Sequence, residues 1–128
     1  YPEDEKQVAW RDIESVADEI RNMGRRALPI VSDVTSIEAV EKLAQRVKQE
    51  FGRVDFVINN AGAARGEDRK AIVDVDPAAW LNVINVNLNG AFNMCHVFGK
   101  QLIKQNTGGA IINISSIGGK MLPPNKAD

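Results

Sequence analysis

TSIEAVEKLAQRVKQEFGRVDFVINNAG, from Thr35 to Gly62, decides the fold. Ile37, Val40, Leu43, Ala44, Val47 and Phe51 recur at helical spacing and make one apolar stripe. In front of them, Thr35-Ser36-Ile37-Glu38 reads as a capping box, with hydroxyl and carboxylate reaching back to free amides. Gly52 stands where a helix stops. Val54 to Ile58 is then a short run apolar on both faces, as a strand inside a parallel sheet should be. Asn59-Asn60-Ala61-Gly62 follows with turn-forming residues. A helix feeding a strand of this kind is the repeating unit of an α/β protein.

The same unit recurs on either side. Upstream, Lys6 to Met23 predicts a helix, with Ile13, Val16, Ala17 and Ile20 on one face and Gly24 behind it. Ala27 to Val31 predicts a first strand, which Pro29 confines to an edge or an end. Downstream, Asn60 to Val75 is a long loop, of the sort that often carries function. Asp76-Pro77 starts a helix that continues to about Lys104. Asn85, Asn87, Asn89 and Gly90 are poor helix formers in its middle and predict a break near Asn87. Gly108-Gly109 leads into a third strand, Ala110 to Ile114, with Ser115 and Ser116 at its C-terminal end. Helix and strand alternate throughout, which implies right-handed crossovers and a parallel sheet.

Composition narrows the function. The chain has 128 residues, 44% hydrophobic and 26% charged, enough for one domain. Its net charge is −1 and no basic cluster stands out, so nucleic acid is not an expected partner. No apolar run is long enough for a membrane helix. Arg25 and Arg26, the adjacent arginine pair, suit the C-terminal end of a helix. The lone Cys95 fits a reducing compartment, so a cytoplasmic location is expected, and its apolar surroundings suggest a buried structural thiol. His96 is the single histidine, which removes catalytic triads and zinc sites built on histidines. No glycine-rich phosphate loop and no metal-ligand spacing occurs, and Asp74 and Asp76 read as helix-start residues.

Ligands of an open parallel sheet bind beyond the carboxyl ends of its strands. Asp33, Asn59 to Gly62, and Ser115-Ser116 all fall on that edge. Each has a local alternative. Asp33 can cap the next helix, Asn59, Asn60 and Gly62 can serve the turn, the serines can terminate the strand, and Asn87 can be a simple kink. Their joint placement on one edge favours a site.

At these residues the sequence resembles the short-chain dehydrogenase/reductase family. The match runs from about Val8 to Asp128 through four pieces in order: Asp33-Val34, Asn59-Asn60-Ala61-Gly62, Asn85-Val86-Asn87-Leu88-Asn89-Gly90 and Ile112-Asn113-Ile114-Ser115-Ser116. The resemblance implies the central portion of a Rossmann-like, doubly wound parallel sheet that binds NAD or NADP. It implies that Asp33 contacts the adenine amino group with the Val34 backbone beside it. Asn60, Ala61 and Gly62 would line the adenine ribose, and Ile114 would lie near the nicotinamide ribose. Asn87 matches the family's catalytic Asn, whose helix kink frees a carbonyl to hold a relay water. Ser116, rather than Ser115, matches the Ser that bonds the oxygen of a small carbonyl or alcohol substrate. The long helix from Asp76 to Lys104 would pair with a second subunit, giving a dimer or tetramer.

The sequence departs from the family in two places. The Tyr-x-x-x-Lys motif, source of the general acid/base, is absent, and Tyr1 lies at the wrong end to replace it. The glycine-rich turn that holds the pyrophosphate is absent too. The expectation is therefore the middle of a longer oxidoreductase, inactive as an isolated 128-residue chain and left with apolar surface exposed. The alternative is a non-catalytic α/β module that binds a nucleotide or a partner. A phospho-acceptor receiver domain fits poorly, because Asp33 stands nearly alone.

Overall fold

A computed structural model describes residues 12–63 and 70–116. The chain divides into two compact units, Tyr1–Ser32 and Asp33–Asp128.

In the first unit, helix α1 spans Ile13–Asn22. Asp12 caps it by accepting the Ser15 amide at 2.7 Å. The expected start at Lys6 lies outside the described residues. Ile13, Val16, Ala17 and Ile20 lie with Leu28 and Pro29 along one apolar groove, in which Ala17 is buried. Arg21 ties the helix end to the following chain, donating to the Ala27 carbonyl at 3.1 Å. The strand expected over Ala27–Val31 does not form: no strand pairing involves these residues. A strand exists only through a ladder partner, and Pro29 removes one donor in any case.

The second unit holds that pair. Helix α2 covers Ile37–Phe51. Strand β1, Phe56–Asn59, runs parallel to β2, Ala110–Asn113, with Val57 opposite Ile111 and Asn59 opposite Asn113. Ladder bonds continue at both ends, from the Ala110 amide to Asp55 at 3.0 Å and from the Ile114 amide to Asn59 at 2.9 Å. Between the strands come a 3₁₀ turn, Ile72–Asp74, helix α3, Pro77–Ile84, a π-helical turn, Asn85–Gly90, and helix α4, Ala91–Gln105. The break expected near Asn87 is this π turn. Asp76 caps α3, as the Asp-Pro pair implies, by accepting the Ala78 amide at 2.7 Å.

Gly24 and Gly52, at φ of 74° and 81°, end α1 and α2 where the sequence places the stops. The cap of α2 needs correcting by one residue. Ser36 rather than Thr35 is the cap, accepting the Ala39 amide at 3.2 Å, and Glu38 accepts the Ser36 hydroxyl at 3.0 Å. The Thr35 hydroxyl is already committed to Asp33, at 2.8 Å.

Val40, Ala44, Val54, Val57 and Phe98 form the core where α2 and α4 cover one face of the sheet. The expectation that the second strand is covered on both faces is not met, since Phe56 and Ile58 are 68% and 60% exposed. At the start of β1, Gln105 replaces a ladder neighbour. Its side-chain oxygen accepts the Val54 amide at 3.2 Å, and its amide donates to the Val54 carbonyl. Gly109 lets β2 approach: a Cβ there would come within 2.7 Å of both the Asp55 carbonyl oxygen and Leu102. Among the described residues no helix is long and apolar enough to cross a membrane.

Candidate functional site

The turn before α2 carries the first site residue. Asp33 is exposed, and its Oδ1 accepts the Thr35 amide at 2.9 Å and the Thr35 hydroxyl at 2.8 Å. These bonds, the backbone one foremost, hold the Asp33 carboxyl below the usual carboxylate range. The local capping role and the binding role are therefore compatible. One oxygen builds the turn, and Oδ2, with no partner among the described residues, remains an acceptor for an exocyclic amino group.

Val34 is half-buried against the helix that begins at the π turn. A Cβ at Gly90 would lie 2.6 Å from Val34 Cγ2, so glycine alone permits this approach. One turn further on, Asn93 Nδ2 donates to the Val34 carbonyl at 3.0 Å and to the Thr35 carbonyl at 3.3 Å.

The same helix reaches the second cluster. Asn87 Oδ1 accepts the Ala63 amide at 2.8 Å, and a Cβ at Gly62 would stand 3.6 Å from that oxygen. Asn60, Ala61 and Gly62 form an exposed backbone ledge directly after β1. A π turn inserts one residue into the helix and interrupts the regular bonding pattern, and Asn87 lies within it. Asn85 and Asn89 share a side-chain bond of 2.8 Å across the same turn.

Below the ledge, Asn59 and Asn113 face each other as the last register pair. Asn59 Nδ2 donates to Asn113 Oδ1 at 2.7 Å and to the Cys95 sulfur at 3.4 Å. Asn59 Oδ1 is buried without a partner. Cys95 is half-buried rather than fully buried, and its thiol belongs to this amide cluster. Ile114, Ser115 and Ser116 continue from β2 and are exposed. His96 lies on the outer face of α4, stacked on Phe92 with ring centroids 5.7 Å apart and accepting from Lys100 Nζ at 2.7 Å. No cluster of metal-ligating side chains occurs among the described residues.

The structure thus joins Asp33-Val34 and Gly62-Ala63 to one helical segment, through Gly90, Asn93 and Asn87. Three contributors escape sequence reading. Asn93, Gly90 as the partner of Val34, and the Asn113–Asn59–Cys95 cluster all depend on long-range contacts. One signal does exist in the sequence, since Asn93 is the polar residue inside the otherwise apolar stretch from Ala91 to Cys95. An adenine dinucleotide fits the arrangement, which offers a second carboxylate oxygen for the amino group and a glycine ledge that backbone and ribose can share.

Comparison with known proteins identifies the family. The family model for short chain dehydrogenases matches residues 7–127. The Mycobacterium tuberculosis protein named "Probable oxidoreductase EphD" is 40% identical over 105 residues, which is 82% of this chain and 17% of that protein. The 2-dehydro-3-deoxy-D-gluconate 5-dehydrogenase of Escherichia coli is 36% identical over 100 residues, 78% of this chain and 38% of the enzyme. The crystal structure of NAD+-bound xylitol dehydrogenase superposes with a TM-score of 0.77 at 35% identity, covering 90% of this chain and 43% of that one. The chain spans less than half the length of each of these relatives.

Proposed function

The chain belongs to the short chain dehydrogenase family, and from that premise we propose that the protein carrying it is an NAD- or NADP-dependent oxidoreductase acting on a small carbonyl or secondary-alcohol substrate. The observation that carries this reading is Asn87, held inside a π turn with its side chain on the Ala63 amide at 2.8 Å. An ordinary structural kink does not require that long-range bond. When bound, the nicotinamide supplies the hydride donor or acceptor.

The chain's own residues then divide the work. Asp33 Oδ2 would accept from the adenine amino group, with the Val34 backbone beside it. Asn60, Ala61 and Gly62 would line the adenine ribose, Gly62 without side-chain bulk, and Ile114 would border the nicotinamide ribose. Ser116 donates to the substrate oxygen, which favours the alkoxide-like charge that develops there. Asn87 holds the 60–63 turn through its side chain, and the π turn leaves a backbone carbonyl to accept from a relay water. The general acid/base is not among these 128 residues, whose one tyrosine, Tyr1, lacks a lysine four positions on. The isolated chain is therefore inactive.

The protein works as a homo-oligomer joined through residues 76–104, where Leu81, Leu88 and Phe92 are 57%, 63% and 64% exposed. A reducing location such as the cytoplasm suits the single free thiol of Cys95.

The test uses the full-length protein. Titration with NADH and NADPH, followed by oxidation assays over a panel of ketones and aldehydes, should give binding and turnover. Asn87→Ala and Ser116→Ala should each lower kcat by about a hundredfold or more. Binding of neither dinucleotide, or full turnover in both variants, would overturn the reading.

A further inference from the structure

We propose that Asn93 is a positioning residue for the adenine half of the cofactor, acting through the Asp33-Val34-Thr35 turn. The inference rests on the function proposed above and adds to it a residue that touches neither cofactor nor substrate.

The turn is held by its own bonds and by α4. Internally, the Thr35 amide and hydroxyl both donate to Asp33 Oδ1, at 2.9 and 2.8 Å. This fixes the carboxylate relative to the turn but leaves the turn free to move as a body. External restraint comes from α4 and the turn before it. Gly90 and Asn93 are three residues apart and so share one helix face. Gly90 receives the Val34 side chain, where a Cβ would lie 2.6 Å from Cγ2. Asn93 Nδ2 donates to the Val34 and Thr35 carbonyls at 3.0 and 3.3 Å.

Those two carbonyls precede helix α2, so the helix ladder does not consume them. An apolar residue at position 93 would leave them without this donor. A longer side chain would have to fold back on itself to reach both. The amide of Asn has the length and the two hydrogens that the geometry requires. Because Asn93 and Asn87 sit on one continuous helical segment, the adenine turn and the 60–63 turn are referenced to the same support.

The experiment compares the full-length wild-type protein with Asn93→Leu and with Asn93→Asp, which keeps the shape and removes the donor. Calorimetry measures the Kd of whichever of NADH and NADPH the wild type binds, of AMP, and of reduced nicotinamide mononucleotide, which has no adenosine. Losing both bonds to the turn should weaken the dinucleotide and AMP by about fivefold or more. The mononucleotide should bind unchanged. KM for the dinucleotide should rise with kcat retained. Asn93→Asp carries the same expectation if Asn93→Leu does not fold. Equal weakening of all three ligands would mark a general structural defect and overturn the proposal, as would unchanged binding of all three. A wild type that binds no dinucleotide defeats the functional reading itself, whereas a wild type that binds while the variants match it defeats only this inference.

Discussion

Asn59 donates its side-chain amide to the side-chain oxygen of Asn113 across the parallel ladder, at 2.7 Å, and this bond closes the last register pair of the sheet. Backbone bonding alone leaves the ends of two short strands prone to fray. The amide bridge, with Cys95 Sγ as a second acceptor at 3.4 Å, fixes the point from which the 60–63 ledge and the serines depart. Asn113→Ala should lower stability by about 1–2 kcal/mol, because Asn59 Nδ2 loses its shorter partner. In urea unfolding of the full-length protein, a double-mutant cycle with Asn59→Ala should give a coupling of about 1 kcal/mol. A coupling near zero would show that the bridge does not hold the strand ends.

Gly90→Ala should destabilise by about 1–3 kcal/mol, the range expected when a methyl is forced into a filled contact. The clash is with Val34 Cγ2, at 2.6 Å from the added carbon. Val34→Ala introduced alongside should recover much of the loss. Thermal melts of the two single variants and the double variant decide it, and strict additivity would mean that Gly90 is required for another reason.

Gln105→Leu should lower stability by about 1–3 kcal/mol, since the Val54 amide and carbonyl lose the side chain that stands in for a neighbouring strand. The Val54 amide should also exchange faster with deuterium in the variant. Unchanged protection at Val54 would contradict the role given to Gln105.

Asp33 makes a prediction in pH. Its carboxyl is held low by the Thr35 amide first and the Thr35 hydroxyl second. A carboxyl whose folded pKa lies below its unfolded value adds stability above the unfolded pKa, and that contribution fades as pH falls through the folded one. Asp33 should therefore titrate below a free aspartate in carbon NMR. Thr35→Val keeps the amide and deletes the hydroxyl, so the Asp33 pKa should rise part of the way back. A pKa at or above that of free aspartate in the native protein would refute the bonding described.

How much of this was legible beforehand depends on the range of the interaction. The stripe from Ile37 to Phe51, the stop at Gly52 and the Asp76-Pro77 start are local patterns, and the structure keeps them all. The Asn-rich break was legible as a weakness of the helix, though not as a π turn, because the extra residue is accommodated by contacts to Ala63 and Val34. The cap shifted from Thr35 to Ser36 because Asp33 competes for the Thr35 hydroxyl, a choice that spacing cannot express. The strand over Ala27–Val31 failed for lack of a neighbour, and an apolar run carries no information about its partners. Asp33 and Asn87 were legible from the motifs, whereas Asn93 depended on carbonyls 58 and 59 positions away.

The six-residue π turn, Asn85–Gly90, also works as a phase shifter. Each residue of a regular helix advances the side chains by about 100° around the axis, so one residue more or less between two contacts rotates everything downstream by that amount. Deleting a single residue from the turn would let a smooth helix form from α3 into α4, a locally better one. It would also swing Asn93 out of line with Val34 while Asn87 stayed on Ala63. The extra residue thus sets the angular offset that allows one rod to grip two separate turns, and shortening it would trade that double grip for helical regularity.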